Sequence, residues 1–166
     1  AWNWGDGTTS GTVMESDGSG SVSDSHTYTA AGVYTLTLTV TDKDGGVGTS
    51  DPFQYVVVYD QSAGYVTGGG SITSSQGAYT QDTSLSWKAI FGFVSKYQNG
   101  VNVPTGSTHF RFIVANFGFK STSYEWLVVG GARAQYKGLG TVNGSGDYGF
   151  FLTAVDGQMP GGGEID

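Results

Sequence analysis

Hydrophobic and polar positions alternate along several short stretches of the chain, most regularly over residues 32–42. The apolar members of this run are Tyr34, Leu36, Leu38 and Val40, and the polar members between them are Thr35, Thr37, Thr39 and Thr41. Successive side chains of a β-strand point to opposite faces, so this period of two predicts a half-buried strand with a threonine ladder outside.

Further runs of the same kind predict an all-β chain. They cover residues 53–59, 88–95, 109–114, 124–129, 132–142 and 148–155. The run 109–114 places Phe110, Phe112 and Val114 on one face, and the glycines at 68–70 lead into loops. Asn99-Gly100 and Asn143-Gly144 are turn signals, and the second predicts a β-hairpin. No long stretch has the spacing of an amphipathic helix.

Charge and composition exclude several classes of function. The chain of 166 residues has a net charge of −7 with only seven Lys and Arg, which argues against nucleic acid and anionic membrane surfaces as partners. It has no cysteine, so disulfides, thiolate catalysis and thiolate metal sites are excluded. No apolar run is long enough to insert into a membrane as a helix.

Three motifs of the first third of the chain resemble the signature of the PKD (polycystic-kidney-disease) domain. They are Trp-x-Trp-Gly-Asp-Gly at residues 2–7, His-x-Tyr at 26–28, and the alternating run at 32–42, which begins Gly-x-Tyr and ends Val-x-Asp. The resemblance implies an immunoglobulin-like β-sandwich over residues 1–60 that lacks its first strands. His26 stands before Tyr28 as in the family signature, and we expect it to pack or cap at a strand entrance, because a catalytic His would need a partner and no nucleophile stands out.

The remainder, residues 64–166, resembles a β module commonly found directly after PKD repeats in secreted bacterial proteins. The resemblance is carried by residues 68–70, 91–97, 121–129, 134–138 and 147–150. It implies a second β-sandwich in tandem with the first, here without its last strand. The chain is therefore expected to be a piece of a longer polypeptide with unpaired strand edges.

The segment Asp42-Lys43-Asp44-Gly45 has two interpretations. Asp-x-Asp-Gly can begin an oxygen cage for Ca²⁺, so Asp42 and Asp44 are candidate ligands and Ca²⁺ is the one candidate cofactor. The same residues fit the turn of a hairpin, and the bidentate Glu of an EF-hand loop is missing. The turn is the favoured interpretation.

The residues do not predict catalysis. The two histidines belong to different modules, and no Gly-x-Ser-x-Gly motif is present. Glu125 is predicted to point away from Tyr124 and Trp126 into solvent, and Asp156 ends a strand at a turn. The sequence therefore predicts that this chain is not an enzyme.

Aromatic side chains offer a second reading of the second module. Trp87 and Tyr97 could stack on sugar rings, with Arg133 and Gln135 as polar neighbours, and Tyr136 and Tyr148 are further aromatic candidates. The same aromatic residues could instead fill the core, because a glycine-rich β domain has few other large side chains. The core is the favoured reading.

These observations predict a non-catalytic structural or adhesive module of a secreted or cell-surface, extracellular protein. It would mediate spacing, cohesion or assembly with other extracellular domains or proteins. One alternative is a carbohydrate-binding accessory module of a secreted hydrolase, with polysaccharide as its partner. Another is a subunit of an extracellular polymer joined by strand addition.

Overall fold

The computed structural model describes residues 1–16, 18–60 and 64–163. Over these residues the regular structure is β apart from one 3₁₀ turn at Ile113–Ala115, so the prediction of an all-β chain is confirmed. The chain divides into two compact units, Ala1–Val58 and Tyr59–Asp166. No helix among the described residues has the length and apolar character to cross a membrane.

The first unit is organised around one long strand. Its strands are β1 (Trp2–Asn3), β2 (Thr8–Thr9), β3 (Thr12–Ser16), β4 (Ser19–Ser23), β5 (Gly32–Thr41), β6 (Val47–Thr49) and β7 (Phe53–Val58). The central strand β5 pairs antiparallel with β1, β6 and β7, and β2 extends the sheet beyond β1. Strands β3 and β4 form a separate hairpin.

The predicted apolar face of β5 is only partly covered. Leu38 is half-buried, whereas Val40 is 52% exposed. Both line a groove with Val13 and Val22 of the β3–β4 hairpin. Among the described hydrophobic residues of this unit only Trp4 is buried, so the unit has a small core.

The second unit is a single six-stranded antiparallel meander. Its strands are β8 (Tyr65–Ser74), β9 (Trp87–Lys96), β10 (Thr105–Phe112), β11 (Phe117–Gly130), β12 (Arg133–Val142) and β13 (Ser145–Val155). They pair in the order β13-β12-β11-β10-β9-β8, so β8 and β13 are its edge strands. The predicted hairpin joins β12 to β13, and the φ angles of 51° at Asn143 and 79° at Gly144 fit a type I′ turn.

The core of this unit lies on one face of the sheet. Tyr124, Leu127 and Tyr136 are buried at its centre, and Val66 of β8 and Phe150 of β13 pack against them. Residues from both edge strands meet the same cluster, so the sheet curves around its inner face. The two methionines lie outside this core, since Met14 is 67% exposed and Met159 is 46% exposed.

Two sequence-based strand assignments need correction. The glycines at 68–70 lie within β8, because Gly68 and Gly70 face the rings of Phe93 and Phe91, which cover them. Val114 does not extend β10; it belongs to the 3₁₀ turn and is 45% exposed. Asn116, with φ of 49°, ends this turn in the left-handed region.

A β-bulge changes which residues of β11 share a face. The pairing of β11 with β12 shifts between Tyr124, which pairs with Gly138, and Trp126, which pairs with Lys137. Tyr124 therefore faces the core, whereas Trp126 lies on the outer face with Lys137. The expectation that Tyr124 and Trp126 share a face is wrong, because the extra residue Glu125 reverses the alternation.

Candidate functional site

The motif residues of the first unit form a continuous aromatic column. Its ring centroids are separated by 5.3 Å from Trp2 to Trp4, 5.2 Å from Trp4 to His26, 4.7 Å from His26 to Tyr28 and 4.2 Å from Tyr28 to Tyr34. Three of these contacts are stacked, and His26 meets Tyr28 edge-on. These residues therefore pack against one another and leave no open aromatic platform.

Polar contacts fix this column in place. His26 Nε2 lies 2.8 and 3.0 Å from the two carboxylate oxygens of Asp6. The Tyr28 hydroxyl donates to the Trp4 carbonyl at 3.0 Å, and Trp4 Nε1 donates to Thr9 Oγ1 at 2.8 Å. Burial, with the nearby negative charge of Asp6, raises the pKa of Tyr28. His26 thus packs at this site as the sequence predicts.

A second carboxylate of this unit is held by hydrogen bonds. The Thr9 hydroxyl donates to Asp24 Oδ2, and the Ser25 backbone N–H donates to Asp24 Oδ1 at 2.8 Å. These bonds, with the hydroxyl contributing most, lower the pKa of Asp24. Asp24 therefore connects Thr9 to the end of the β3–β4 hairpin.

The candidate calcium ligands lie in the turn between β5 and β6. Asp42 Oδ1 accepts the backbone N–H groups of Asp44 at 2.8 Å and Gly46 at 2.7 Å, which is the bonding of an Asp-initiated turn. The Asp44 carboxylate accepts the Lys43 ammonium at 2.7 and 2.9 Å. Gly45 has φ of 88°, as such a turn requires. Binding of Ca²⁺ by Asp42 and Asp44 stays a prediction.

Hydroxyl groups tie the core of the second unit together. Thr108 Oγ1 lies 2.9 Å from the Tyr124 hydroxyl and 2.8 Å from the Tyr136 hydroxyl. Ser121 Oγ lies 3.0 Å from the Tyr124 hydroxyl and accepts the Thr108 backbone N–H at 2.9 Å. This network joins β10, β11 and β12 inside the sheet, where each hydroxyl is paired.

Stability of this core should fall at high pH. Burial raises the pKa of Tyr136 to about 12 and also raises the pKa of Tyr97. Since the unfolded chain loses these protons near pH 10 and the folded chain later, the free energy of unfolding should decline by about 1 kcal/mol per pH unit for Tyr136 as pH rises from about 10 to about 12. Below pH 10 this contribution is fully present.

Urea unfolding at several alkaline pH values measures this slope. Tyr136→Phe should make it shallower, whereas Tyr148→Phe, at a residue 51% exposed, should leave it unchanged. An equal slope in the wild type and in Tyr136→Phe would contradict the assignment.

The structure does not bring the four candidate carbohydrate ligands together. Trp87 is 62% exposed at the start of β9, and Tyr97 follows the end of that strand. Their backbones are therefore roughly 30 Å apart along the strand. Tyr97 packs on the core, and its hydroxyl bonds to both backbone groups of Leu127. Arg133 and Gln135 lie on the outer face of β12.

Several of the candidate sugar-binding residues make contacts within the second unit. Tyr136 is fully buried, and Tyr97 stacks on Tyr59 at 5.6 Å. Gln135 Nε2 donates to Thr153 Oγ1 at 3.3 Å. These residues do not form one binding surface, and carbohydrate binding by them stays a prediction.

Glu125 and Asp156, the two acids considered above for catalysis, each make a local polar contact. Glu125 Oε2 accepts the Lys137 ammonium at 2.8 Å, and Asp156 Oδ1 accepts the Gln158 backbone N–H at 2.9 Å. In residues 1–16, 18–60 and 64–163 no three or more of His, Cys, Asp and Glu form a group that could hold a metal ion.

The outer face of the second sheet gathers the cations of that unit. They are Lys88, Lys96, Arg111, Lys120, Arg133 and Lys137. Each alternates with inward-facing residues of its strand, such as Ala89 beside Lys88 and Phe112 beside Arg111. His109 points to the same side, across Gly92. We call this surface the basic face.

Comparison with known proteins covers the first unit. Residues 1–57 match the family model of the PKD domain, which confirms the resemblance inferred from the motifs of this segment. The match indicates an extracellular structural or adhesive module in general terms. No curated protein and no solved structure matches the chain. The resemblance of the second unit to a module that follows PKD repeats stays a prediction.

Proposed function

From the PKD match over residues 1–57, we propose that this chain is a non-catalytic structural module of a secreted or cell-surface protein. It provides spacing and cohesion, and it assembles with other extracellular domains or with further copies through its open sheet edges. The absence of catalysis is part of the proposal. It is supported by the motif residues of the first unit, which are engaged in the aromatic column.

The proposal of cohesion rests on the edge strand β8. It spans ten residues, and its pairing with β9 runs without a register shift. Natural sheets protect long edges with charged residues, proline or bulges, because an open edge pairs with other strands. The segment Tyr65–Ser74 contains no charged residue and no proline. This edge is therefore suited to strand addition.

Amide hydrogen exchange tests this proposal. We expect the amides of β8 to gain protection as protein concentration rises, since pairing with another strand shields them. Ser71→Lys should abolish that gain by charging the edge. The matched control is Ser107→Lys, at an exposed serine of the interior strand β10. Exchange in β8 that is independent of concentration in the wild type would refute cohesion through this edge.

Carbohydrate binding remains the second hypothesis, motivated by the exposed ring of Trp87. Pull-down with insoluble polysaccharides distinguishes it from a purely structural role. Retention of the wild type that is lost in Trp87→Ala would support it. Equal behaviour of the two proteins would remove Trp87 as a ligand.

A further inference from the structure

The basic face carries charges that the described residues leave largely unneutralised. Lys137 pairs with Glu125. In the described part of the chain no carboxylate lies within ion-pair distance of Lys88, Arg111 or Lys120. All three are exposed, and they lie on the neighbouring strands β9, β10 and β11.

The register brings these cations into one patch. His109 pairs with Lys120, and Arg111 pairs with Gly118, two residues from Lys120. On the other side Arg111 pairs with Ile90, two residues from Lys88. Diagonal neighbours of this kind are about 7–8 Å apart, so each pair of like charges costs about 0.5 kcal/mol in water. A partner that supplies negative charge would remove this cost.

The first unit has the complementary charge. Residues 1–58 contain seven Asp and Glu and one Lys, a net charge of −6, while residues 59–166 carry −1. Every described carboxylate of the first unit is exposed. The anionic surface that would neutralise the basic face is therefore present on every copy of this chain.

We propose that the basic face of one copy binds the acidic first unit of a second copy. Such a contact is heterologous, because it joins two different surfaces, and it can continue from copy to copy in an open row. The contact is independent of strand addition at β8, because it uses side chains of the sheet face and not the backbone of its edge.

Analytical ultracentrifugation of the whole chain tests the proposal. At about 20 mM NaCl we expect the average mass to rise with protein concentration, and at about 500 mM NaCl we expect association to weaken at least about tenfold, since salt screens exposed charges. Association through the β8 edge would persist at high salt. The two contacts are thereby distinguished.

Charge variants locate the two surfaces. The triple variant Lys88→Glu, Arg111→Glu and Lys120→Glu should remain monomeric at low salt, whereas Gln98→Glu, at an exposed loop residue outside the basic face, should still associate. A milder triple variant with glutamine at the same three positions serves if the first fails to fold. Far-UV circular dichroism and the thermal midpoint establish folding.

A mixing experiment tests complementarity directly. The variant Glu15→Gln, Asp44→Asn and Asp51→Asn lowers the acidity of the first unit and should also self-associate poorly. Mixed with the triple glutamate variant, it should form pairs, because one protein keeps the basic face and the other keeps the acidic unit.

Three results would overturn the proposal. They are a wild type that stays monomeric at low salt, association that the basic-face variant leaves unchanged, and a mixture that forms no pairs. Binding of soluble polyuronate to a monomeric wild type would assign the basic face to an acidic polysaccharide and also reject the second copy as its partner.

Discussion

Replacing Trp4 with alanine should unfold the first unit. Trp4 is 8% exposed, stacks on Trp2 and His26, and donates its indole N–H to Thr9. Removing a buried tryptophan costs about 3–5 kcal/mol, which is comparable with the whole stability of a small domain. The first unit has no other buried hydrophobic residue in its described part, so little remains to compensate.

Hydrogen exchange of the intact chain measures this effect. Amides of β5 should lose their protection in Trp4→Ala, because β5 is the central strand of the unit that this change should unfold. Trp87→Ala is the matched control, since Trp87 is 62% exposed and its removal should change the free energy of unfolding by at most about 0.5 kcal/mol. Wild-type protection of β5 in Trp4→Ala would show that the column is dispensable.

Adding one methyl group at Gly138 should destabilise the second unit by about 3 kcal/mol, at the upper end of the usual cost of overpacking. A Cβ there would lie 2.2 Å from the backbone oxygen of Ser123 and 2.9 Å from Cε1 of Phe150. Gly138 pairs with Tyr124 at the bulge, so the backbone of β11 would have to move and disturb the hydroxyl network.

The control is Gly149→Ala in the neighbouring strand β13. A Cβ at Gly149 has no atom within 4 Å and no positive φ to oppose it. This change should stabilise the chain slightly, by about 0.5 kcal/mol, because alanine restricts the unfolded state. Thermal and urea unfolding measure both variants. Equal stabilities for the two would mean that β11 adapts to the added methyl group without cost.

Period-two alternation was sufficient to predict the strands that have one covered face. The alternating run 32–42 corresponds to strand β5, and Asn143-Gly144 forms the predicted turn between β12 and β13. Local sequence determines both features, because alternation and turn chemistry act over a few residues. The strand β8 escaped prediction because its glycines have no side chains, and the rings that cover two of them come from β9.

The faces of β11 needed information from outside the strand. A period-two pattern cannot reveal the bulge at Glu125, and it therefore places Tyr124 and Trp126 on one side of the strand. In the same way, the proposed sugar-binding set joined Trp87 and Tyr97 because their chemistry matched. The predicted strand 88–95 already separates them, and the structure places them at opposite ends of β9.

The net charge of the chain averages two units with different charges. The total of −7 hides a first unit of −6 and a second unit whose cations share one face. The signal was present in the sequence, since Arg111 alternates with Phe110 and Phe112, and Lys120 follows Phe119. Predicting that these cations share one surface requires knowing which side of each strand faces the core.

The placement of sulfur gives these units tolerance to oxidants. The chain has no thiol, and its two thioethers, Met14 and Met159, are exposed. Conversion of either methionine to its sulfoxide would therefore add polarity where water already reaches, and it would not open the core. Peroxide, which inactivates many proteins through buried methionine or reactive cysteine, should leave both units folded.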